Sequence, residues 1–202
     1  GAILKTILEY AEERGLSTGV VSDMNIADAT PAACYAHVNE RSKYGEIIVQ
    51  AFEPRFGDGV DVLLGNGRRA IAASLKKSGQ NLDSIGSARG RPIYKSLAKI
   101  PPDNLRPVAI LDESLDVPVA AGIALERLGR NREGYFLMIE WDAHTDKLPG
   151  GLDRLVAFDK LIREIASRVD PRETLLLFTA DHSFDLRVHS GGRGQPLLQG
   201  LD

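Results

Sequence analysis

Hydrophobic positions along the chain alternate between helix-like and strand-like patterns. The first pattern has helical spacing, and a glycine at position 15 provides a natural end for that helix; its apolar positions are Ile3, Leu4, Ile7, Leu8 and Ala11. The same reasoning predicts further helices over residues 32–38, where Pro31 suits the first turn, and over residues 68–77, 118–128 and 152–169. Short, mainly apolar runs predict buried strands at 18–22, 59–65, 107–111, 135–139 and 174–179, and the run at 135–139 is uninterrupted, as expected of a central parallel strand.

This order of elements defines the fold class. Strands that alternate with helices imply a mostly parallel central sheet sandwiched by helices, so we predict an α/β fold. Residues 79–107 are rich in Gly, Pro, Ser and basic side chains and have weak periodicity, and an irregular excursion from the core is expected there. The 202 residues are enough to bury a sizeable core without disulfides.

Composition and charge exclude several kinds of partner. The chain has 25 basic and 28 acidic residues and a net charge of -3, so it offers no basic patch for nucleic acid or for a membrane surface. No apolar run approaches the ~18 residues that a transmembrane helix needs. The single cysteine, Cys34, excludes an internal disulfide framework but is compatible with the cytosol and with the periplasm.

Metal-binding residue types follow two of the predicted strands. The strand at 135–139 leads into Glu140, Asp142, His144 and Asp146, and the strand at 174–179 leads into Asp181 and His182. Ligands collect at the carboxyl ends of strands in open α/β sheets. Imidazole and carboxylate groups suit zinc, and a carboxylate-rich subsite suits magnesium. Each residue alone is also compatible with a helix cap or a solvated side chain, but the two clusters together favour a joint metal site.

Four segments in order resemble the alkaline phosphatase family. They are the stretch from Asp28 through Thr30-Pro31 to Arg41, the strand and glycine loop at 59–68, the strand at 134–140, and Thr179-Ala180-Asp181-His182-Ser183. The resemblance implies that family's three-layer α/β/α fold over nearly the whole chain. It also implies that residues 1–202 are part of one catalytic domain that is truncated at both ends.

The resemblance assigns roles to individual positions. Thr30 and Glu140 correspond to ligands of one magnesium ion, with Asp28 beside them in the surrounding shell. Arg41 corresponds to the phosphate-binding arginine, and a planar guanidinium can indeed bind two phosphate oxygens at once. Asp181 and His182 correspond to ligands of one of two zinc ions.

The second zinc site departs from the family pattern, which has an Asp five residues after the glutamate and a His four residues later. Here those two positions are Thr145 and Pro149. We expect Asp142 and His144 to take the two roles, because neutral imidazole is a good zinc ligand, and we keep Asp146 as the alternative to His144. His189 is interpreted as a surface residue, His37 as structural, and Trp141 as a packing residue as readily as a site residue.

The implied reaction is hydrolysis of small or exposed phosphate monoesters through a phosphoserine intermediate, with two zinc ions and one magnesium ion. The family's nucleophilic serine and bridging aspartate precede the Thr30 segment, so both are expected outside this chain, and a final zinc histidine is expected beyond residue 202. Ser84 follows Asp83 but lies on the wrong side of that segment, and we reject it as the nucleophile. The isolated chain is therefore expected to be inactive.

Three further points stay open at the level of sequence. A related phosphodiesterase or sulfatase would share the Asp181-His182 motif but should lack the segment from Thr30 to Arg41. A non-catalytic module that binds metal or phosphate is the other alternative, and the short segment at 140–146 keeps it open. The resemblance implies a periplasmic or extracellular location and is compatible with a homodimer.

Overall fold

The structure, a computed structural model, describes residues 4–143 and 148–182 and the backbone of residues 187–188 and 198–199. It divides into two compact units, residues 1–142 and residues 143–202. Each unit has its own secondary structure and is considered separately.

A five-stranded parallel sheet forms the centre of the first unit. Its strands are β1 (Ser17–Asn25), β2 (Val62–Asn66), β3 (Ile93–Tyr94), β4 (Val108–Leu111) and β5 (Tyr135–Glu140), in the spatial order β3-β4-β2-β1-β5. β1 therefore lies between β2 and β5, and its register pairs Ser17 with Tyr135 at one end and Ser22 with Glu140 at the other. All carboxyl ends consequently meet at one edge of the sheet.

Helices cover both faces of this sheet, as the prediction of an α/β fold required. The helices of the first unit are α1 (Ile7–Glu13), α2 (Ala29–Tyr35), α3 (Tyr44–Gln50), α4 (Arg68–Lys77), α5 (Leu82–Ser87) and α6 (Val117–Leu128). On one face Val20 and Leu63 share a core with Leu8, Tyr35 and Ile47 from the helices. On the opposite face Gly19 lies directly beneath Leu128 of α6, where a β-carbon would come within 2.6 Å of the leucine side chain.

Most predicted elements are present, with shifted ends. α2 begins at residue 29 rather than 32 and ends at residue 35 rather than 38. The early start arises because Asp28 caps the helix, with its carboxylate accepting the backbone N–H of Ala29 at 2.8 Å. Ala36 is already extended, so His37 belongs to the loop that follows.

The stretch at 79–107 contains more structure than its composition suggested. It holds α5, the edge strand β3 and a 3₁₀ turn at Leu97–Lys99. Leu82, Ile85 and Ile93 from this stretch are buried members of the core.

The second unit contains α7 (Leu148–Arg168) and the antiparallel pair β6 (Arg187–Val188) and β7 (Leu198–Gln199). The prediction of a strand at 174–179 was wrong, because these residues lie in neither helix nor strand. A strand needs a neighbour to pair its N–H and C=O groups, and within the described part of this unit the segment pairs with none. Leu175 and Leu177 are 81% and 78% exposed, and Phe178 contacts Phe158 with ring centroids 5.8 Å apart.

Among the described residues, no helix is both long enough and apolar enough to cross a membrane.

Candidate active site

Glu140 is placed at the carboxyl edge of the sheet by the pairing of β5 with β1. Its partner in the register is Ser22, whose side chain is fully buried and whose hydroxyl donates a hydrogen bond to the Glu140 carboxylate. The Ser22 Oγ in turn accepts the backbone N–H of Met24 at 3.0 Å. Glu140 is thus oriented by the strand beside it.

Thr30 reaches the same carboxylate from α2. The chain turns after β1, where Asp28 N–H donates to the Asn25 carbonyl at 2.8 Å, and α2 then starts at once. Thr30 is in the first turn of that helix, and its side chain is close enough to Glu140 to lower the pKa of that carboxyl. Two residues 110 positions apart in the sequence therefore lie near each other at the sheet edge.

The carboxyl group of Glu140 lies in a negatively charged environment. Burial raises its pKa above the usual value, and the nearby carboxylates of Asp23 and Asp28 raise it further, while the hydrogen bonds from Ser22 and Thr30 lower it. A bound cation would offset both the burial and the repulsion. The negative charge around the Glu140 carboxyl group therefore favours the binding of a cation.

Arg41 lies on the loop between α2 and α3 and extends to Asp28. Its Nη2 is 2.7 Å from Asp28 Oδ1, the same carboxylate oxygen that caps α2. This hydrogen bond raises the pKa of Arg41, so the guanidinium stays charged. The side chain is 70% exposed, which leaves N–H groups open to a ligand.

Asp23 is an acidic residue of this corner that the sequence did not single out. Its carboxylate accepts the backbone N–H of Asp142 at 2.8 Å, and its carbonyl accepts the side-chain amide of Asn66 at 2.7 Å. It joins the ends of β1, β2 and β5. The sequence did offer one indication of its position. Asp23 immediately follows the predicted strand at 18–22, so it lies at the same carboxyl edge of the sheet as Glu140.

Asp181 and His182 lie next to each other in the second unit. His182 Nε2 is 3.5 Å from Asp181 Oδ2, and the side chains are 61% and 68% exposed for His182 and Asp181 respectively. Both are therefore accessible and close enough to address one ion. His144, Asp146 and His189 lie outside the described residues, so the choice between His144 and Asp146 stays a prediction.

The types of donor atom suit magnesium, but the described residues do not form a complete metal site. A carboxylate and a hydroxyl in contact, Glu140 and Thr30, are hard oxygen donors of the kind that magnesium prefers. Among the described residues, however, no three His, Cys, Asp or Glu side chains converge in a geometry that could hold a metal ion. Asp28 is bonded to Arg41 and to its helix, and Asp23 is bonded to Asp142. The assignment of Thr30 and Glu140 to a metal site therefore stays a prediction.

Ser84, which the sequence analysis rejected as the nucleophile, takes part in a helix cap. It is in the first turns of α5, where its backbone N–H donates to Asn81 Oδ1 at 3.0 Å and its hydroxyl is 3.2 Å from the same atom. The hydroxyl serves the helix cap, and no base is placed beside it in these contacts.

A parallel sheet with acidic, hydroxyl and guanidinium side chains at its carboxyl edge defines an α/β protein with a candidate ligand site at that edge. The family model described as alkaline phosphatase matches residues 1–97 and 112–194. The chain belongs to the alkaline phosphatase family.

Relatives agree with this assignment over most of the chain. It is 27% identical to alkaline phosphatase 3 of Bacillus subtilis, over 91% of this chain and 43% of that protein. It is 26% identical to the human tissue-nonspecific alkaline phosphatase isozyme, over 91% of this chain and 45% of that protein. The chain thus spans less than half the length of these two relatives.

Solved structures support the fold. The alkaline phosphatase of Thermus thermophilus superposes with a TM-score of 0.73 at 23% identity, over 86% of this chain and 40% of that one. A histidine-to-glutamate mutant of the alkaline phosphatase from the Antarctic bacterium TAB5, solved with Mg bound in its M3 site, gives a TM-score of 0.68 at 23% identity, over 83% of this chain and 52% of that one. These likenesses establish the three-layer α/β/α fold.

Proposed function

We propose that this chain provides the phosphate-binding and magnesium-holding part of an enzyme that hydrolyses phosphate monoesters. The observation that carries the proposal is the continuous set of contacts from Arg41 through Asp28 and α2 to Thr30 and Glu140, all at the carboxyl edge of β1 and β5. Family membership supports the same reaction.

Arg41 binds the phosphate group in this proposal. Asp28 holds one guanidinium nitrogen at 2.7 Å, which limits the rotation of the side chain. The remaining N–H groups face solvent and can donate to two phosphate oxygens in parallel, a geometry that lysine lacks. As charge spreads over the transferring phosphoryl group, these hydrogen bonds strengthen and stabilise the transition state. The 70% exposure of the side chain suits small or protruding esters.

Glu140 and Thr30 would hold a magnesium ion, with Asp28 next to them. Asp181 and His182 would supply two ligands of one zinc ion, and Asp142 with His144, or with Asp146, would supply ligands of the other. When bound, the two zinc ions would polarise the ester and lower the pKa of the attacking hydroxyl. Ser22 and Thr30 keep the Glu140 carboxylate oriented before any metal arrives.

In the covalent step of the proposal a serine oxygen attacks phosphorus and the P–O bond to the ester's alcohol breaks, so that the alcohol leaves and a phosphoserine forms. Water then cleaves the serine O–P bond and releases inorganic phosphate. Ser22 is fully buried and bonded to Glu140, and Ser84 is bonded to Asn81, so neither hydroxyl is suited to attack. In this proposal the nucleophile is a serine outside residues 1–202, as the family resemblance implies.

Hydrolysis of p-nitrophenyl phosphate by the full-length protein, supplied with zinc and magnesium, tests the proposal. Arg41→Ala should lower kcat/KM by about 100-fold, the order of effect that loss of one strong donor to a transition state has, and Arg41→Lys should fall between it and the wild type. Arg163→Ala is the matched control, since Arg163 is 79% exposed and pairs with Asp159 at 2.8 Å. Equal activity of the Arg41 and Arg163 variants would contradict the role of Arg41, and phosphate binding without any turnover would favour a non-catalytic module.

A further inference from the structure

His37 forms a buried polar contact that the proposed chemistry does not use. It lies on the loop between α2 and α3, and its Nε2 is 2.8 Å from Glu9 Oε1 of α1. The Glu9 side chain is 1% exposed and that of His37 is 17% exposed. A carboxylate so deeply buried is costly unless it is paired, so the contact constrains the position of His37 strongly.

Glu9 is itself rigidly held. Its other oxygen, Oε2, accepts the backbone N–H of Thr6 at 2.7 Å, and its own N–H donates to Thr6 Oγ1, which together form a capping box at the start of α1. The Thr6 hydroxyl also donates to the Cys34 carbonyl at 2.6 Å. The start of α1 is thereby joined to the end of α2, immediately before His37.

A second helix holds His37 through its backbone. The His37 N–H donates to Gln50 Oε1 of α3 at 2.9 Å, and the Gln50 amide donates back to the His37 carbonyl at 3.4 Å. The edge of the imidazole faces Phe56, with ring centroids 6.1 Å apart. Three separate parts of the first unit thus fix this one loop residue.

Arg41 is four residues further along the same loop. The hydrogen bonds of Glu40, Ser42 and Lys43 with one another stay within the loop. The bond between Arg41 and Asp28 acts only at the tip of a long side chain. After Arg41 the chain enters α3, where the Lys43 carbonyl accepts the Ile47 N–H at 3.0 Å. The backbone that carries the guanidinium is therefore held between the contacts of His37 on its amino-terminal side and α3, which also carries Gln50, on its carboxyl-terminal side.

We propose that Glu9, His37 and Gln50 form a clamp that positions Arg41 for the phosphate group, so that His37 is a positioning residue of the site. This inference rests on the proposed role of Arg41. A displacement of about 1 Å of a group that binds the transition state can cost on the order of 100-fold in rate, so loss of the clamp should be visible in catalysis.

Phosphate inhibition and the kinetics of ester hydrolysis, measured in the full-length protein, test the clamp. His37→Ala should lower kcat/KM and raise the inhibition constant for inorganic phosphate by about 10-fold or more. In the Arg41→Ala background the same change should have almost no further effect, because the clamp acts through Arg41. Gln50→Ala, on the partly exposed side of α3, should give a smaller effect in the same direction and serves as the second variant if His37→Ala does not fold.

Asp61→Asn is the matched control, because Asp61 pairs with Arg106 at 2.7 Å and is 17% exposed, but lies at the amino end of β2. Equal losses in the wild-type and Arg41→Ala backgrounds, or a loss in Asp61→Asn as large as that in His37→Ala, would overturn the clamp. Wild-type kinetics in both His37→Ala and Gln50→Ala would overturn it too. If Arg41→Ala itself kept wild-type phosphate inhibition, the proposed function would fail first and the clamp with it.

Discussion

At the scale of single residues, Glu140 shows how a sheet edge concentrates negative charge around one carboxylate. The hydroxyls of Ser22 and Thr30 orient its carboxylate, while Asp23 and Asp28 surround it with negative charge. The hydroxyls stabilise the ionised form, but burial and the two carboxylates outweigh them and raise its pKa. A bound cation would offset the burial and the charge repulsion that raise the pKa of Glu140.

Removal of this carboxylate should therefore weaken magnesium binding specifically. In the full-length protein, Glu140→Gln should lower the affinity for Mg²⁺ by at least 10- to 100-fold, the range that loss of an outer partner alone already reaches. Titration calorimetry with Mg²⁺ measures the change. Glu164→Gln, a surface carboxylate of α7 paired with Arg168, should bind Mg²⁺ like the wild type. Equal Mg²⁺ affinities in the two variants would show that Glu140 is not a magnesium ligand.

Cys34 should react slowly despite its position beside the site. Burial, with a smaller contribution from the charge of Glu140, raises the pKa of its thiol to about 11. Its usual value is 9.0, so at pH 8 the thiolate fraction is lower by about 100-fold. The same shift means that folding stability is lost as the pH rises from about 9 towards 11, where the unfolded thiol ionises first.

Iodoacetamide labelling of the folded protein, followed by mass spectrometry of the peptide that contains Cys34, measures this reactivity. Labelling at pH 8 should be about 100-fold slower than in urea and should rise steeply above pH 10. Equal rates in native and unfolded protein would contradict the burial of the thiol.

At the scale of elements, α2 is the part that brings the site together. It is only seven residues long, yet its cap residue Asp28 binds Arg41 and its first turn supplies Thr30 to Glu140. A short helix placed directly after a central strand thus joins the proposed phosphate and magnesium positions.

The contribution of the Asp28 cap to the free energy of unfolding should be measurable. Asp28→Ala removes the acceptor for the Ala29 N–H and should lower the free energy of unfolding by about 1 kcal/mol, whereas Asp28→Asn should lose only a few tenths because asparagine caps helices equally well. Urea unfolding of the full-length protein distinguishes the two variants. If Asp28→Asn were as unstable as Asp28→Ala, the charge of Asp28 rather than its capping hydrogen bond would account for its contribution to stability.

Sequence predicted the elements better than it predicted the contacts between them. α4 and β5 follow from uninterrupted patterns and were placed within a residue of their ends. α3 was not predicted at all, because Lys43 at its start makes no side-chain cap and no proline marks its first turn. The contact of Thr30 with Glu140 depends on the register of β1 against β5, which pairs Ser22 with Glu140, and register cannot be read from either strand alone.

Asp23 was missed for a related reason. The predicted strand ended at residue 22, whereas β1 continues to Asn25, and its three extra residues carry the side chain that binds the backbone of Asp142. The motif residues Asp28, Thr30, Arg41 and Glu140 were found because their types and order match a family. Their roles as ligands stay predictions.

At the scale of the whole molecule, the proposed metal residues are divided between two units. Thr30 and Glu140 belong to the first unit, and Asp181 and His182 belong to the second. In the second unit the apolar side chains of residues 175–178 are exposed just before the Asp-His pair.

Zinc content should depend on the Asp-His pair. Asp181→Ala or His182→Ala in the full-length protein should remove about one equivalent of zinc, because a tetrahedral site depends on few, strong ligands. Elemental analysis after dialysis measures the loss. Full zinc content in both variants would show that neither residue is a ligand.

The same analysis decides between His144 and Asp146. If His144 is the ligand, His144→Ala should lower metal affinity by about 10- to 100-fold or more, and Asp146→Ala should be mild. If Asp146 has the role, the order reverses and the site becomes harder and closer to magnesium in preference. Full zinc in both variants would contradict the assignment of this segment.

In the proposed function Arg41 binds the phosphate group at the carboxyl edge of the sheet. Calorimetric titration of inorganic phosphate into the full-length, metal-loaded protein tests it most directly. Arg41→Ala should weaken phosphate binding by about 10-fold or more, since one charge-assisted bidentate contact is lost, while Arg163→Ala should bind phosphate like the wild type. Phosphate affinity that is the same in wild type, Arg41→Ala and Arg163→Ala would contradict the claim.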